Sequence, residues 1–237
     1  GVATLTWQSA NSIYARNIPV QLTIEQMYFI GVRSMSIVAV TAGSCGMVMA
    51  LQFGLGMAKF GAKLYVPKLV SLSVAREIGP VFCSIMLAGR VGAGLASEIA
   101  SMVVTQQIDA MRALGTSPIH KVVVPRLLAC MIAIPLLATL GIFLGTLGAG
   151  LVGVHELGLD PSFYYQKVVS TVQIKDYVTG IGKTFFFAFF IATSACYFGL
   201  TTPRGTEAVG IATTKSVVTA SILIFVSNYF LTKLFFM

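Results

Sequence analysis

AGRVGAGLASEI, residues 88–99, sets two ionisable side chains, Arg90 and Glu98, among glycines, alanines and aliphatic residues. The sequence on either side is apolar, so the stretch reads as the charged part of a membrane span. A charge at the centre of a span costs roughly 2.5–3.5 kcal/mol on insertion scales. On a helix the two residues stand about 12 Å apart along the axis and roughly 80° apart around it. Ion pairs within one helix need a spacing of three or four residues. Each charge therefore has to find a partner on another helix, on another chain or in a wet cavity. Gly89, Ala93 and Ser97 form one ladder of small residues, and Gly92, Ala96 and Ala100 form the next. Such ladders let another backbone come close. Two readings of Arg90 and Glu98 are open: satisfied charges that fix helix packing, or groups in contact with transported material.

The composition around this stretch is that of a membrane protein. The 237 residues are 56% hydrophobic and only 10% charged, where soluble domains carry about 25% charged residues. Mean hydropathy is +0.86. Long apolar runs favour helices over the alternating strands of a barrel. The net charge of +8 points to anionic headgroups or acidic partner surfaces rather than to nucleic acid. Cys45, Cys83, Cys130 and Cys196 all lie in apolar segments without metal-ligand spacing, and read as small buried hydrophobes.

Working outward, residues 74–104 make the second of five expected spans. The first is 34–58, without charge, with Arg33 at its start. A loop holding Lys59, Lys63, Pro67 and Lys68 separates the two. The third, 127–154, is uncharged, and Gly141, Gly145, Ala149 and Gly153 recur at every fourth position as a small-residue ridge. A fourth uncharged run covers 184–203, and a fifth span has its core at 216–232. Residues 1–27, with Trp7, Tyr14 and Arg16, read as an interfacial segment lying on the membrane. A short surface helix is expected over 158–173, with Asp160 as its cap and Pro161 at its first position. The whole chain, 1–237, reads as a single transmembrane domain of all-α class. Basic residues divide evenly between the two sides of the membrane, so they do not orient it.

Several chemistries find no support. TGIGKT, residues 179–184, lacks the first glycine of a phosphate-binding loop, since position 177 is Tyr, and precedes an apolar run. His120 and His155 are far apart, and neither a metal-ligand pattern nor a nucleophile elbow is present. No catalytic residue, metal or cofactor is expected, and any ATP would be hydrolysed by another chain. Arg76 and Glu77 open the second span and Gln52 lies near the end of the first. They read either as entry charges and an interhelical hydrogen bond, or as a polar lining where a lipid headgroup rests. TQQIDAMRALGTSP, 105–118, spaces Ile108, Met111 and Leu114 by three, with Gln107, Asp109 and Arg112 elsewhere on the wheel. It reads either as an interfacial loop helix or as a docking helix for a soluble partner. Gly115 and Pro118 stop it.

The block REIGPVFCSIMLAGRVGAGLASEIASMVVTQQIDAMRALGTSP, 76–118, closely resembles the signature region of MlaE-type (YrbE-like) permeases. GMVMALQ (46–52), PRLLA (125–129) and GIATTKSVVTAS (210–221) are similar to family stretches in the same order. The resemblance implies the membrane subunit of a bacterial ABC system that moves phospholipid between envelope membranes. It implies a homodimer with an interfacial helix and five spans in the inner membrane, its N-terminus cytoplasmic. It further implies an ABC ATPase bound to a coupling helix at 105–117, a STAS-domain (MlaB-like) protein on that ATPase, and a periplasmic MCE-domain (MlaD-like) hexamer. By position, Gln52, Arg76 and Glu77 match polar residues near a lipid cavity between the two copies, and Arg90 and Glu98 match a charged pair of the second span. Gln107, Ile108, Asp109, Met111, Arg112 and Leu114 fall on the coupling helix. Two alternatives stand beside this reading. One is an ion-coupled secondary transporter with Arg90 and Glu98 as relay groups. The other is a related permease for sterols or other lipids.

Overall fold

The structure is a computed structural model that describes residues 20–203 and 205–236. Of the interfacial segment expected over 1–27, residues 1–19 lie outside the described residues. The remainder begins α1 (Val20–Ile30). There follow α2 (Met35–Ala58), α3 (Lys63–Val104), α4 (Gln107–Ala113) and α5 (Ile119–His155). The series closes with α6 (Pro161–Thr171), α7 (Ile174–Leu200) and α8 (Thr206–Phe236). The described residues contain no strand. Five helical stretches are long and apolar enough to cross a membrane: α1 continuing into α2, then α3, α5, α7 and α8. The chain is an all-α, multi-pass membrane protein.

Two expected boundaries need correction. The Lys-rich loop before the second span is short, because helix resumes at Lys63 and Pro67 sits in the first turn of Val66–Ser73. Proline is tolerated there, where its missing N–H would have no helical partner. The fourth span starts at Ile174 rather than at 184. Asp176 reaches back to accept a hydrogen bond from the Gln173 backbone N–H at 3.1 Å, half of a capping box that fixes the helix start. The short helices between spans stand near their expected places. Asp160 caps α6 by accepting from Phe163 N–H at 2.9 Å. Gly115, at φ +70°, ends the turn after α4, a left-handed conformation that glycine adopts without strain.

The described residues divide into two compact units. One comprises residues 35–83 and 135–184, the other 20–34, 84–134 and 185–236. In the first, Ala50, Val66, Val70, Val74, Ala75, Ile142 and Ala149 form a buried core. Here α2 and α5 touch backbone to backbone. A Cβ on Gly46 would collide with the Gly145 carbonyl, and one on Gly148 with Gly43. The ridge of small residues on α5 continues to Gly153, which lies under the Tyr164 ring of α6. In the second unit, Ile99 of α3, Ile108 of α4, Val122 and Val123 of α5, and Cys196 of α7 form a common core. Within it α3 and α7 meet where Gly199 faces Ala96 and Ile99, and α8 approaches α3 where Ser216 faces Gly92.

Candidate functional site

Two adjacent residues of opposite charge, Arg76 and Glu77, lie in a π-helical turn of α3, Val74–Ile78. Such widened turns hold an extra residue and occur often at functional sites. Both side chains pair with α7. Arg76 Nε donates to Asp176 Oδ1 at 2.8 Å, and its Nη2 lies 2.6 Å from the same oxygen. Lys183 Nζ lies 2.6 Å from Glu77 Oε1 and also donates to the Arg76 carbonyl at 3.2 Å. Asp176 and Lys183 are seven residues apart, two helical turns, and so share a face of α7. Their order of charge is the reverse of that on α3, which makes the two pairs complementary. Lys183 is fully buried, whereas the Arg76 side chain is 36% exposed. A buried ammonium without its carboxylate would be costly, so this knot holds α7 to the widened turn.

An open apolar groove of about 860 Å³ borders the knot. Leu140, Phe143 and Leu147 of α5 line it, together with Val168 and Val169 of α6. Ala75 and Tyr177, the chain neighbours of Arg76 and Asp176, line it as well. The groove therefore offers hydrocarbon contact along most of its length, and two of its lining residues adjoin the ion-paired Arg76 and Asp176 in the chain. Gln52, expected to share this lining, is exposed on α2 and makes no hydrogen bond among the described residues. The structure brings Arg76 and Glu77 together with Asp176 and Lys183, and Gln52 is not among the residues lining this groove.

Arg90 and Glu98 do not pair with each other. Glu98 Oε1 accepts from Arg126 Nη2 of α5 at 2.7 Å, and Arg126 Nη1 also donates to the Val122 carbonyl at 2.8 Å. Arg126 is buried. Arg90 stands in a second π-helical turn of α3, Ala88–Gly92, exposed and without an ion-pair partner among the described residues. Gly89 and Gly94 beside it face open space.

On α4 Gln107, Asp109, Ala110, Arg112 and Ala113 are exposed, as is Leu114 beyond its end. Asp109 and Arg112 form an exposed ion pair at 3.1 Å. Ile108 is 2% exposed and Met111 packs beside it on the core. Ile108, expected on the coupling helix, is buried in the chain's own core. Among the described residues no group of three or more His, Cys, Asp or Glu could hold a metal ion. Cys83, Cys130 and Cys196 are buried and Cys45 is half-buried.

Asp176, Lys183 and Arg126 complete the ion pairs without standing among the expected site residues. The signal was available in the seven-residue spacing of an acid and a base whose order reverses that of Arg76 and Glu77.

Membrane-crossing helices, an exposed short helix between two of them and charges paired across helices define a multi-pass membrane protein. The model of the permease MlaE family matches residues 23–234, and the chain belongs to that family. A probable ABC transporter permease protein of Rickettsia conorii is 40% identical over 231 residues, covering 98% of this chain and 89% of its own. One of Synechocystis is 39% identical over 214 residues, covering 90% and 81%. The intermembrane phospholipid transport system permease protein MlaE of Haemophilus influenzae is 33% identical over 216 residues, covering 91% and 83%. The chain is accordingly a permease of an ABC system.

Proposed function

We propose that the chain is the non-catalytic permease of an ATP-driven transporter that moves phospholipid between a bacterial inner membrane and a periplasmic MCE-domain carrier. The observation that carries the lipid reading is the apolar groove bordered by the Arg76–Asp176 and Glu77–Lys183 knot. Its walls suit acyl chains, and the partly exposed guanidinium suits a phosphate. The name of the Haemophilus relative supports the same substrate. Two copies of the chain form the transport unit, with the exposed Arg90 face of α3 at or near their junction. An ABC ATPase binds the exposed side of α4 and a STAS-domain protein sits on that ATPase. An MCE-domain hexamer receives or delivers lipid on the opposite side. ATP-driven closure of the engine changes the spacing of the two permease copies and with it the room available to lipid.

The test is reconstitution with the ATPase and the MCE carrier, followed by ATP-dependent transfer of labelled phospholipid. Arg76→Lys keeps a cation beside the buried Asp176 carboxylate but loses the planar guanidinium fork, so it should assemble yet transfer lipid more slowly. Normal transfer by a well-assembled Arg76→Lys variant would remove the groove edge from the lipid path. The double variant Asp109→Arg with Arg112→Asp keeps an ion pair on α4 while reversing its polarity toward a partner. It should fold normally and lose ATPase association, and retained association would overturn the docking assignment.

A further inference from the structure

A second cavity, with a mixed lining that holds several charged and polar side chains, opens where α1 meets the latter part of α3. It measures about 390 Å³, within the usual range for small-ligand sites. Glu25, Gln26, Tyr28, Phe29, Arg33 and Glu98 line it, with Gly94 contributing bare backbone. Glu98 stands six residues before the end of α3 at Val104, about 9 Å along the axis, which is headgroup depth rather than mid-membrane. Tyr28 and Phe29 are 59% and 42% exposed, as aromatic residues at a membrane surface are.

The charges of this cavity are unevenly satisfied. Arg126 engages one oxygen of Glu98, which leaves the other free to accept. Glu25 has no hydrogen bond or ion pair among the described residues. Gln26 Oε1 is buried without a donor. Arg33 lies 5.1 Å from the Phe29 ring centre and has no carboxylate partner among the described residues. The cavity thus presents three acceptors in want of donors and one cation in want of an anion. A primary ammonium carries three N–H donors, and a phosphate is the natural partner of a guanidinium.

We propose that this cavity binds the headgroup of an aminophospholipid, with the ammonium among Glu25, Gln26 and Glu98 and the phosphate at Arg33. Phosphatidylethanolamine has both groups. Phosphatidylcholine has the same net charge but no N–H donor, and its quaternary head calls for a fuller aromatic cage than Tyr28 and Phe29 supply. Phosphatidylglycerol lacks the cation altogether. The site would therefore select by hydrogen-bond donors rather than by charge alone. The proposal rests on the phospholipid reading above only in taking lipid as the ligand.

Native mass spectrometry of the purified full chain, with each of the three lipids added in turn, tests this. Retention of phosphatidylethanolamine should exceed that of the other two by about tenfold, the effect of one charge-assisted hydrogen-bonded contact. Glu25→Gln, at an exposed position, should abolish that preference. Gly94→Leu should do so by filling the cavity, since a Cβ there meets nothing within 4 Å. Equal retention of the three lipids overturns the proposal, as does a preference unchanged in both variants. A carbodiimide cross-link from Glu25 to a lysine of another chain also overturns it, because the occupant is then a protein side chain. Binding is read without the ATPase, so selective retention upholds the site even where ATP-driven transfer fails.

Discussion

Lys183 is the residue on which the charged knot depends most. It is fully buried, and its ammonium is held by the Glu77 carboxylate and the Arg76 carbonyl. Removing one member of a buried pair strands the other, at a cost of about 3–5 kcal/mol. Glu77→Gln should therefore lower the thermal midpoint of the detergent-solubilised chain markedly. Glu77→Gln combined with Lys183→Met should recover much of that loss, because no charge is then stranded. A double variant as unstable as the single one would show that the pair is not coupled. Asp160 offers a contrast at the membrane surface. The Ser162 hydroxyl, and then the Phe163 N–H, hold its carboxyl below the ordinary value of 3.8. A depressed folded pKa stabilises above the unfolded value and loses that stabilisation as pH falls through the folded one. Hydrogen exchange across Pro161–Thr171 should thus show unchanged opening from pH 7 to pH 5, after correction for the intrinsic exchange rate. In Asp160→Ala, protection should be lower throughout that range. The sequence revealed which residues were charged within apolar surroundings, but pairing is a matter of three dimensions. Glu98 required a partner beyond its own helix, and only the packing of α3 against α5 showed that partner to be Arg126.

Helix packing depends on where side chains are missing. The ridge Gly141, Gly145, Ala149 and Gly153 was legible as a face for close approach, because its four-residue period is local information. α2 carries the same mark, Ala42, Gly46, Ala50 and Gly54 at every fourth position, but which ridge meets which is not local information. Gly46→Leu has no room, as even a Cβ collides with the Gly145 backbone. Forced overpacking typically costs about 1–3 kcal/mol, so this variant should melt earlier. Gly56→Leu, on the same helix with open space around its Cβ, should melt normally. Equal behaviour of the two would refute the contact. Helix starts were legible only in part. Asp160 before Pro161 marks the start of α6, whereas Asp176 and Lys183 interrupt the apolar run and so hide the start of α7. Charges that neutralise one another across helices can sit inside a span. The π-helical turns at Val74–Ile78 and Ala88–Gly92 left no recognisable trace in the periodicity.

For the molecule as a whole, the proposed five-span topology sets α1 and α4 on one face of the membrane, so the proposed aminophospholipid cavity and the proposed engine-binding helix share one side. A permease assembled with its ATPase should therefore release bound phosphatidylethanolamine differently in its nucleotide-bound and nucleotide-free states. Measuring that release by native mass spectrometry with and without a non-hydrolysable nucleotide checks the link, and identical release in both states would break it. The short rod α4 has one further consequence. It is about two turns long, and its root at Ile108 is wedged among residues of α3, α5 and α7. A load applied at Asp109, Arg112 or Leu114 has little length over which to dissipate by bending. A tug on so stubby a lever is shared among three legs of the bundle, and the lever has no free swing in which to lose the stroke.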